Sequence, residues 1–234
     1  MNSPEDLRVD PNSDVGRLAT EVANRYKLRP DETDTVNRIT ISVKSFAQSQ
    51  NALGPNDSID TAKLRKLKCL DLACGNGNVS GVDPRISEIM GPLRRRMEPW
   101  LCRSLHQAGV DITGIDIYYP QYEGTKGKSE EWKFVQMNLT KPKDLQRHFR
   151  DKTFDAIVTT FFILNEVINP ASKDPFLNAP EISMLMQQNP QRYYRTLRDL
   201  LSEMRRVLKN DGNAVINHEK VERPQLKTLE KAIR

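Results

Sequence analysis

No apolar run in the 234-residue chain approaches the roughly 18–20 residues that a membrane-spanning helix requires, so no membrane association is expected. The opening residues, Met1-Asn2-Ser3-Pro4-Glu5-Asp6, are polar and acidic and lack the basic-then-apolar order of a secretory signal. Cysteine is scarce. Cys69, Cys74 and Cys102 are odd in number and have no metal-ligand spacing, which speaks against a disulfide framework and predicts no metal site. Reduced thiols in a cytoplasmic protein are the expectation. Charge of one sign is not in large excess: 36 Lys and Arg against 31 Asp and Glu leave +5, which permits an anionic partner without indicating one. Internal repeats and low-complexity tracts are absent. What is present is a soluble composition, 37% apolar and 29% charged, on a chain long enough for one enlarged domain.

Two amphipathic patterns come first. Val15, Leu18, Val22 and Tyr26 recur at helical spacing, and Val36, Ile39, Val43 and Phe46 do so again after a break near Arg29-Pro30-Asp31. Asn51 to Thr61 is rich in turn formers and reads as a linker. From Lys68 onward, short apolar segments alternate with helical stripes. The strand candidates are 69–73, 111–117, 133–137, 154–160 and 213–217. Between them, Leu101, Leu105 and Ala108 share a helical face closed by Gly109, and Leu197, Leu200, Leu201, Met204, Val207 and Leu208 form a longer stripe ending at Asp211-Gly212. Such alternation predicts a parallel sheet with right-handed crossovers. Residues 220–234 suffice for one helix, through Leu226, Leu229 and Ile233.

In an open parallel sheet, ligands bind beyond the carboxyl ends of the strands. The first strand candidate runs directly into Ala73-Cys74-Gly75-Asn76-Gly77, where glycine lets the backbone turn and approach a ligand without a Cβ in the way. The stretch Leu70-Asp71-Leu72-Ala73-Cys74-Gly75-Asn76-Gly77 resembles the first motif of class I S-adenosylmethionine (SAM)-dependent methyltransferases. Asp116, ending the second strand candidate, matches that family's acid for the ribose hydroxyls, a task that suits an acceptor-only carboxylate. Asn138-Leu139 stands where the family often has Asp and an apolar residue at the adenine. Residues 154–160 and 204–212 resemble the later motifs, so the resemblance covers about residues 66–220. It implies a Rossmann-like three-layer α/β sandwich with a mainly parallel sheet of about five strands, order 3-2-1-4-5. The N-terminal helices read above precede that domain, and its C-terminal end is shorter than the family pattern, because residues 220–234 do not suffice for the two further strands usual there. The cofactor residues so implied are Asp71, Ala73, Cys74, Gly75, Asn76, Gly77, Asp116, Ile117, Asn138, Leu139 and Thr160. A tight structural turn remains the alternative reading of the glycines, and a turn-forming Asn that of Asn138.

From Gly77 to Asp116 is 39 positions, about twice the ~20 usual between a glycine loop and its ribose acid. The excess reads as an insertion over about 78–97. The organisation expected is an N-terminal helical cap or lid over 1–60 and a SAM-binding domain over 61–234. Asn165 and Glu166, after the fourth strand, and His218, at the end of the fifth, are catalytic candidates; each is also readable as a solvated residue. Arg94-Arg95-Arg96 is readable as a phosphate contact or a solvated helical face, and Tyr118, Tyr119 and Tyr122 as an adenosine wall or loop packing.

The function expected is methyl transfer from SAM to a small-molecule acceptor. A non-catalytic SAM-binding subunit is the first alternative. Nucleic-acid methylation is a lesser one, because neither an Asn/Asp-Pro-Pro-aromatic motif nor a Pro-Cys nucleophile is present. A nicotinamide enzyme would need a third glycine where Ser80 stands. The acceptor and the oligomeric state are not legible.

Overall fold

Six strands form one sheet in the order β3-β2-β1-β4-β5-β6: β1 Lys68–Leu72, β2 Asp111–Asp116, β3 Lys133–Gln136, β4 Phe154–Thr159, β5 Leu208–Ile216 and β6 Glu219–Glu222. The computed structural model describes residues 10–28, 33–75, 98–116, 131–139, 141–159 and 189–233. The described helices are α1 Asp14–Arg25, α2 Thr33–Ser49, α3 Thr61–Leu64, α4 Trp100–Gln107, α5 Leu145–His148, α6 Pro190–Val207 and α7 Arg223–Ala232.

The first five strands run parallel, with Leu70 opposite Thr113 and Ile157, and Thr113 opposite Lys133. The expected order 3-2-1-4-5 is therefore present, extended by one strand. β6 pairs antiparallel with β5, Val215 opposite Lys220. The two-residue connection is Asn217-His218, both at positive φ (48° and 71°), the backbone of a tight hairpin turn. The five-strand expectation is corrected on this point. β5 also begins earlier than expected, at Leu208, across an irregularity in its pairing with β4 that takes up Lys209 to Gly212.

Side chains alternate across the sheet, so each strand feeds two layers. Cys69, Ile112, Ala156, Val158 and Val215 pack with α1, α2 and α4 through Val15, Val22, Ile39, Val43, Phe46 and Leu105. Leu70, Leu72, Ile115, Ile157, Ala214 and Ile216 pack with α6 and α7 through Leu197, Leu200, Leu201, Met204 and Leu226. The result is a three-layer sandwich. Each fully buried leucine of this kind contributes about 1.5–3 kcal/mol relative to exposure.

Local chemistry sets the helix ends. The Ser13 hydroxyl accepts from the Gly16 N–H (3.1 Å) at the start of α1, and Asn189 accepts from the Arg192 N–H (3.0 Å) at the start of α6. Glu222 and Gln225 form a capping box on α7. Gly109, at φ 89°, turns the chain out of α4 into β2.

The stretch 51–61 is a closed loop. The Gly54 N–H donates to the Ser58 carbonyl (2.9 Å) and the Asp60 N–H to the Ala52 carbonyl (2.8 Å). Lys44 pairs with Asp57 at 2.9 Å, and the Ile59 N–H donates to Asp14 at the head of α1 (2.9 Å). The turn formers thus fasten α1 and α2 together.

Candidate functional site

β1 delivers Asp71 one residue before its end, then the chain turns at Ala73 (φ 59°) and again at Gly75 (φ 88°). A left-handed alanine costs about 1–2 kcal/mol, so the surrounding bonds must hold the turn. They are the Cys74 N–H to the Ile115 carbonyl (2.9 Å) and the Gly75 N–H to Asp116 Oδ2 (3.0 Å). The loop leaving β1 is therefore stitched to the end of β2. β3 joins in turn: the Met137 N–H donates to the Asp116 carbonyl (2.8 Å), which sets Asn138 beside the same edge.

Asp71 points toward the α4 layer. It is 2% exposed, and its Oδ2 accepts from the Cys102 thiol at 3.3 Å. Oδ1 is buried and has no hydrogen-bond partner among the described residues. A buried acceptor left open carries a free-energy cost that a ligand donor would relieve. Burial pushes the Asp71 carboxyl up to about 7; the Cys102 bond opposes the rise and the Asp116 charge adds to it.

Gly114 on β2 makes room for this arrangement. A Cβ there would lie 2.6 Å from the Trp132 ring and 2.9 Å from each of the Cys102 and Cys74 sulfurs. Burial pushes Cys74 up to about 11, and the two carboxylates add to the rise. Cys102 is likewise raised by burial, by its bonds to Cys74 and Asp71, and by their charge. Neither thiol is a nucleophile at neutral pH.

The structure thus brings Asp71, Ala73, Cys74, Gly75 and Asp116 together at the carboxyl ends of β1 and β2, with Asn138 after β3. Leu139 is 4% exposed and packs in the apolar cluster under the sheet with Leu72 and Ile115. His218 stands in the β5–β6 turn. Desolvation, then the Arg38 charge, lowers its pKa, and no described hydrogen bond joins it to Asp71 or Asp116. Asn76, Gly77, Ile117, Thr160, Asn165 and Glu166 lie outside the described residues, as do the 78–97 segment, Arg94 to Arg96 and Tyr118, Tyr119 and Tyr122.

Three participants were not expected from sequence. Cys102 and Gly114 are brought to Asp71 by folding. Arg103, fully buried on α4, pairs with Glu98 at 2.6 Å and lies 3.9 Å from the Tyr26 ring and 4.5 Å from that of Trp100. That stack locks α4, and with it Cys102, to the end of α1. Among the described residues no group of three or more His, Cys, Asp or Glu side chains is set to hold a metal ion. No described helix is long and apolar enough to cross a membrane.

Neither a protein-family model nor a curated relative matches the chain. Solved structures give weak likenesses. A TehB-like SAM-dependent methyltransferase from Corynebacterium glutamicum aligns at 18% identity and a TM-score of 0.34, over 81% of this chain and 71% of its own. A protein from Pyrococcus horikoshii aligns at 20% identity and 0.39, over 92% and 66%. The Burkholderia thailandensis 1,6-didemethyltoxoflavin-N1-methyltransferase, solved with S-adenosylhomocysteine, aligns at 12% identity and 0.37, over 100% and 81%.

Proposed function

We propose that the chain is a methyltransferase that binds S-adenosylmethionine at the carboxyl ends of β1, β2 and β3 and passes its methyl group to a small-molecule acceptor. The observation that carries this reading is the pair of buried carboxyls on successive strand ends, Asp71 with an open Oδ1 and Asp116 bonded to the glycine turn. An acidic strand end suits a ligand that is cationic at one end and carries vicinal hydroxyls at the other.

The residues present fit that cofactor. Asp116 would accept from the ribose hydroxyls while the Gly75 N–H holds its carboxylate in place. Asp71 would offer Oδ1 to the ammonium of the methionine moiety, directly or through water, and that positive charge would return the carboxyl to its ionised form. Gly75 lets the main chain pass close to the ligand, and Asn138 would pair with the adenine edge. Bound S-adenosylmethionine supplies an electrophilic methyl on a sulfonium, so transfer calls mainly for alignment of the acceptor atom and exclusion of water. Residues 1–60 would cover the acceptor side; α1 and α2 lie over the sheet face onto which Asp71 projects, and the Arg103 stack couples the end of α1 to α4. The buried thiols, two of them side by side at Gly114, suit a reducing compartment such as the cytoplasm.

The test is a transfer screen with methyl-labelled SAM over mixed small-molecule acceptors, with RNA and DNA as separate arms. Label in a small molecule supports the proposal, and label only in nucleic acid overturns its acceptor class. SAM binding with no turnover on any acceptor favours a non-catalytic subunit. Tight NADH binding by fluorescence would redirect the reading to an oxidoreductase.

A further inference from the structure

The opposite edge of the sheet holds a second concavity. Lys68 opens β1 opposite Asp111, Thr113 stands two residues further along β2 opposite Leu70, and Lys133 opens β3 in register with Thr113. Alternation sends all three to the same face of the sheet. Over them lies the α5-to-β4 connection, His148-Phe149-Arg150, leaving a cavity of about 290 Å³. Its apolar wall is the edge-to-face pair Phe149 and Phe154, 5.1 Å between ring centres. The Lys68 ammonium stands 5.9 Å from the Phe154 ring and the Lys133 ammonium 6.0 Å from the Phe149 ring.

Lys68, Lys133, His148 and Arg150 form no ion pair among the described residues. Two of the neighbouring acids are engaged, and a third, Asp111, shares the Lys68 face of the sheet at its exposed rim. Asp155 binds Lys209 at 2.7 Å and the Lys68 backbone N–H at 2.9 Å, and Asp151 binds Arg206 at 2.7 Å. Asp111, beside Lys68 in register, is exposed and makes no described ion pair. Thr113, 2% exposed, adds a hydroxyl that bonds no other described residue. Two lysines, an arginine, a histidine and the buried Thr113 therefore line one small space. A monoanion does not require so many donors, whereas a phosphoryl group, with three oxygens and up to two charges, can use all of them. The volume sits at the lower end for ligand pockets, which begin at about 300 Å³.

We propose that this amino-edge cavity is a binding site for a small phosphoanion, a diphosphate or a compact phosphate ester, separate from the carboxyl-edge site and independent of the reaction proposed there.

The probe is inorganic pyrophosphate, titrated calorimetrically into the full chain at low ionic strength, where screening is weak. Saturable one-to-one binding is expected. Lys68→Met and Lys133→Met should each weaken it by about tenfold or more, and Arg150→Met less. Binding of S-adenosylhomocysteine should be unchanged in all three, which separates loss of the cavity from loss of the fold or failure of the cofactor reading. No saturable binding up to millimolar pyrophosphate by folded protein overturns the proposal. So does equal binding by the Lys68→Met/Lys133→Met double variant. A single-stranded oligonucleotide that binds where pyrophosphate does not also overturns it, in favour of a nucleic-acid backbone surface.

Discussion

Asp71→Asn isolates the energetic consequence of burying an acid at the end of β1. In the native chain burial holds the carboxyl at about 7, against 3.8 for an unperturbed aspartate. The folded state therefore keeps a proton that the unfolded chain has already released. Stability from this group is fullest below about pH 4, declines as pH rises through the interval between the two values, and is lowest above pH 7. Three pKa units correspond to about 4 kcal/mol overall, of which about 2–3 kcal/mol falls between pH 5 and pH 8. Asparagine is close in shape and carries no charge at any of these pH values, so the variant should lose this dependence. The assay is urea unfolding of both proteins at pH 5 and pH 8. Other groups contribute equally to both chains, so the difference of differences reports Asp71 alone. It should be about 2–3 kcal/mol, with Asp71→Asn the relatively more stable protein at pH 8. Equal pH responses in the two proteins would show instead a carboxyl that ionises as freely in the fold as out of it, and no raised pKa at Asp71.

Two further outcomes follow from the same cluster. Gly114→Ala places a methyl group against Trp132, Cys102 and Cys74 at distances below 3.0 Å; overpacking of this kind should lower stability by about 1–3 kcal/mol in chemical denaturation. Cys102→Ala removes the S–H bond that favours the ionised form of Asp71. The pH midpoint of the stability change described above should therefore move upward, with about 1–3 kcal/mol lost at pH 8, where the charged carboxylate is left without its donor. A downward movement of that midpoint would contradict the assignment of Cys102 as donor.

The sheet was legible in the sequence wherever a strand is buried on both faces, as in Cys69-Leu70-Asp71-Leu72 and Ala156-Ile157-Val158. There an apolar run is short, bounded by turns and followed by a helical stripe. β6 was not legible. Glu219-Lys220-Val221-Glu222 offers one apolar side chain at a sheet edge, and its hairpin turn uses Asn217-His218 at positive φ without glycine. The 51–61 loop was misread because turn formers mark a change of direction but do not reveal whether the chain is then tied down. In this loop Lys44 of α2 and Asp14 of α1 do the tying. Within the site, Asp71, Cys74, Gly75 and Asp116 were legible because the parallel topology dictates which residues end adjacent strands. Cys102 was hidden because it meets Asp71 from a helix 31 positions away. The amino-edge cavity was hidden for the same reason: Lys68, Thr113 and Lys133 become neighbours only when β1, β2 and β3 pair in register.

Calorimetric titration of S-adenosylhomocysteine into the native chain and into Asp116→Asn tests the central claim most directly. Asparagine preserves the size of the side chain but replaces one acceptor oxygen with a donor, so it opposes the ribose hydroxyls that Asp116 is proposed to serve. One saturable site is expected on the native chain and an affinity lower by about tenfold or more in the variant, with both proteins equally folded by circular dichroism. Absence of binding by the folded native chain at millimolar ligand, or equal affinity in the variant, would contradict that claim.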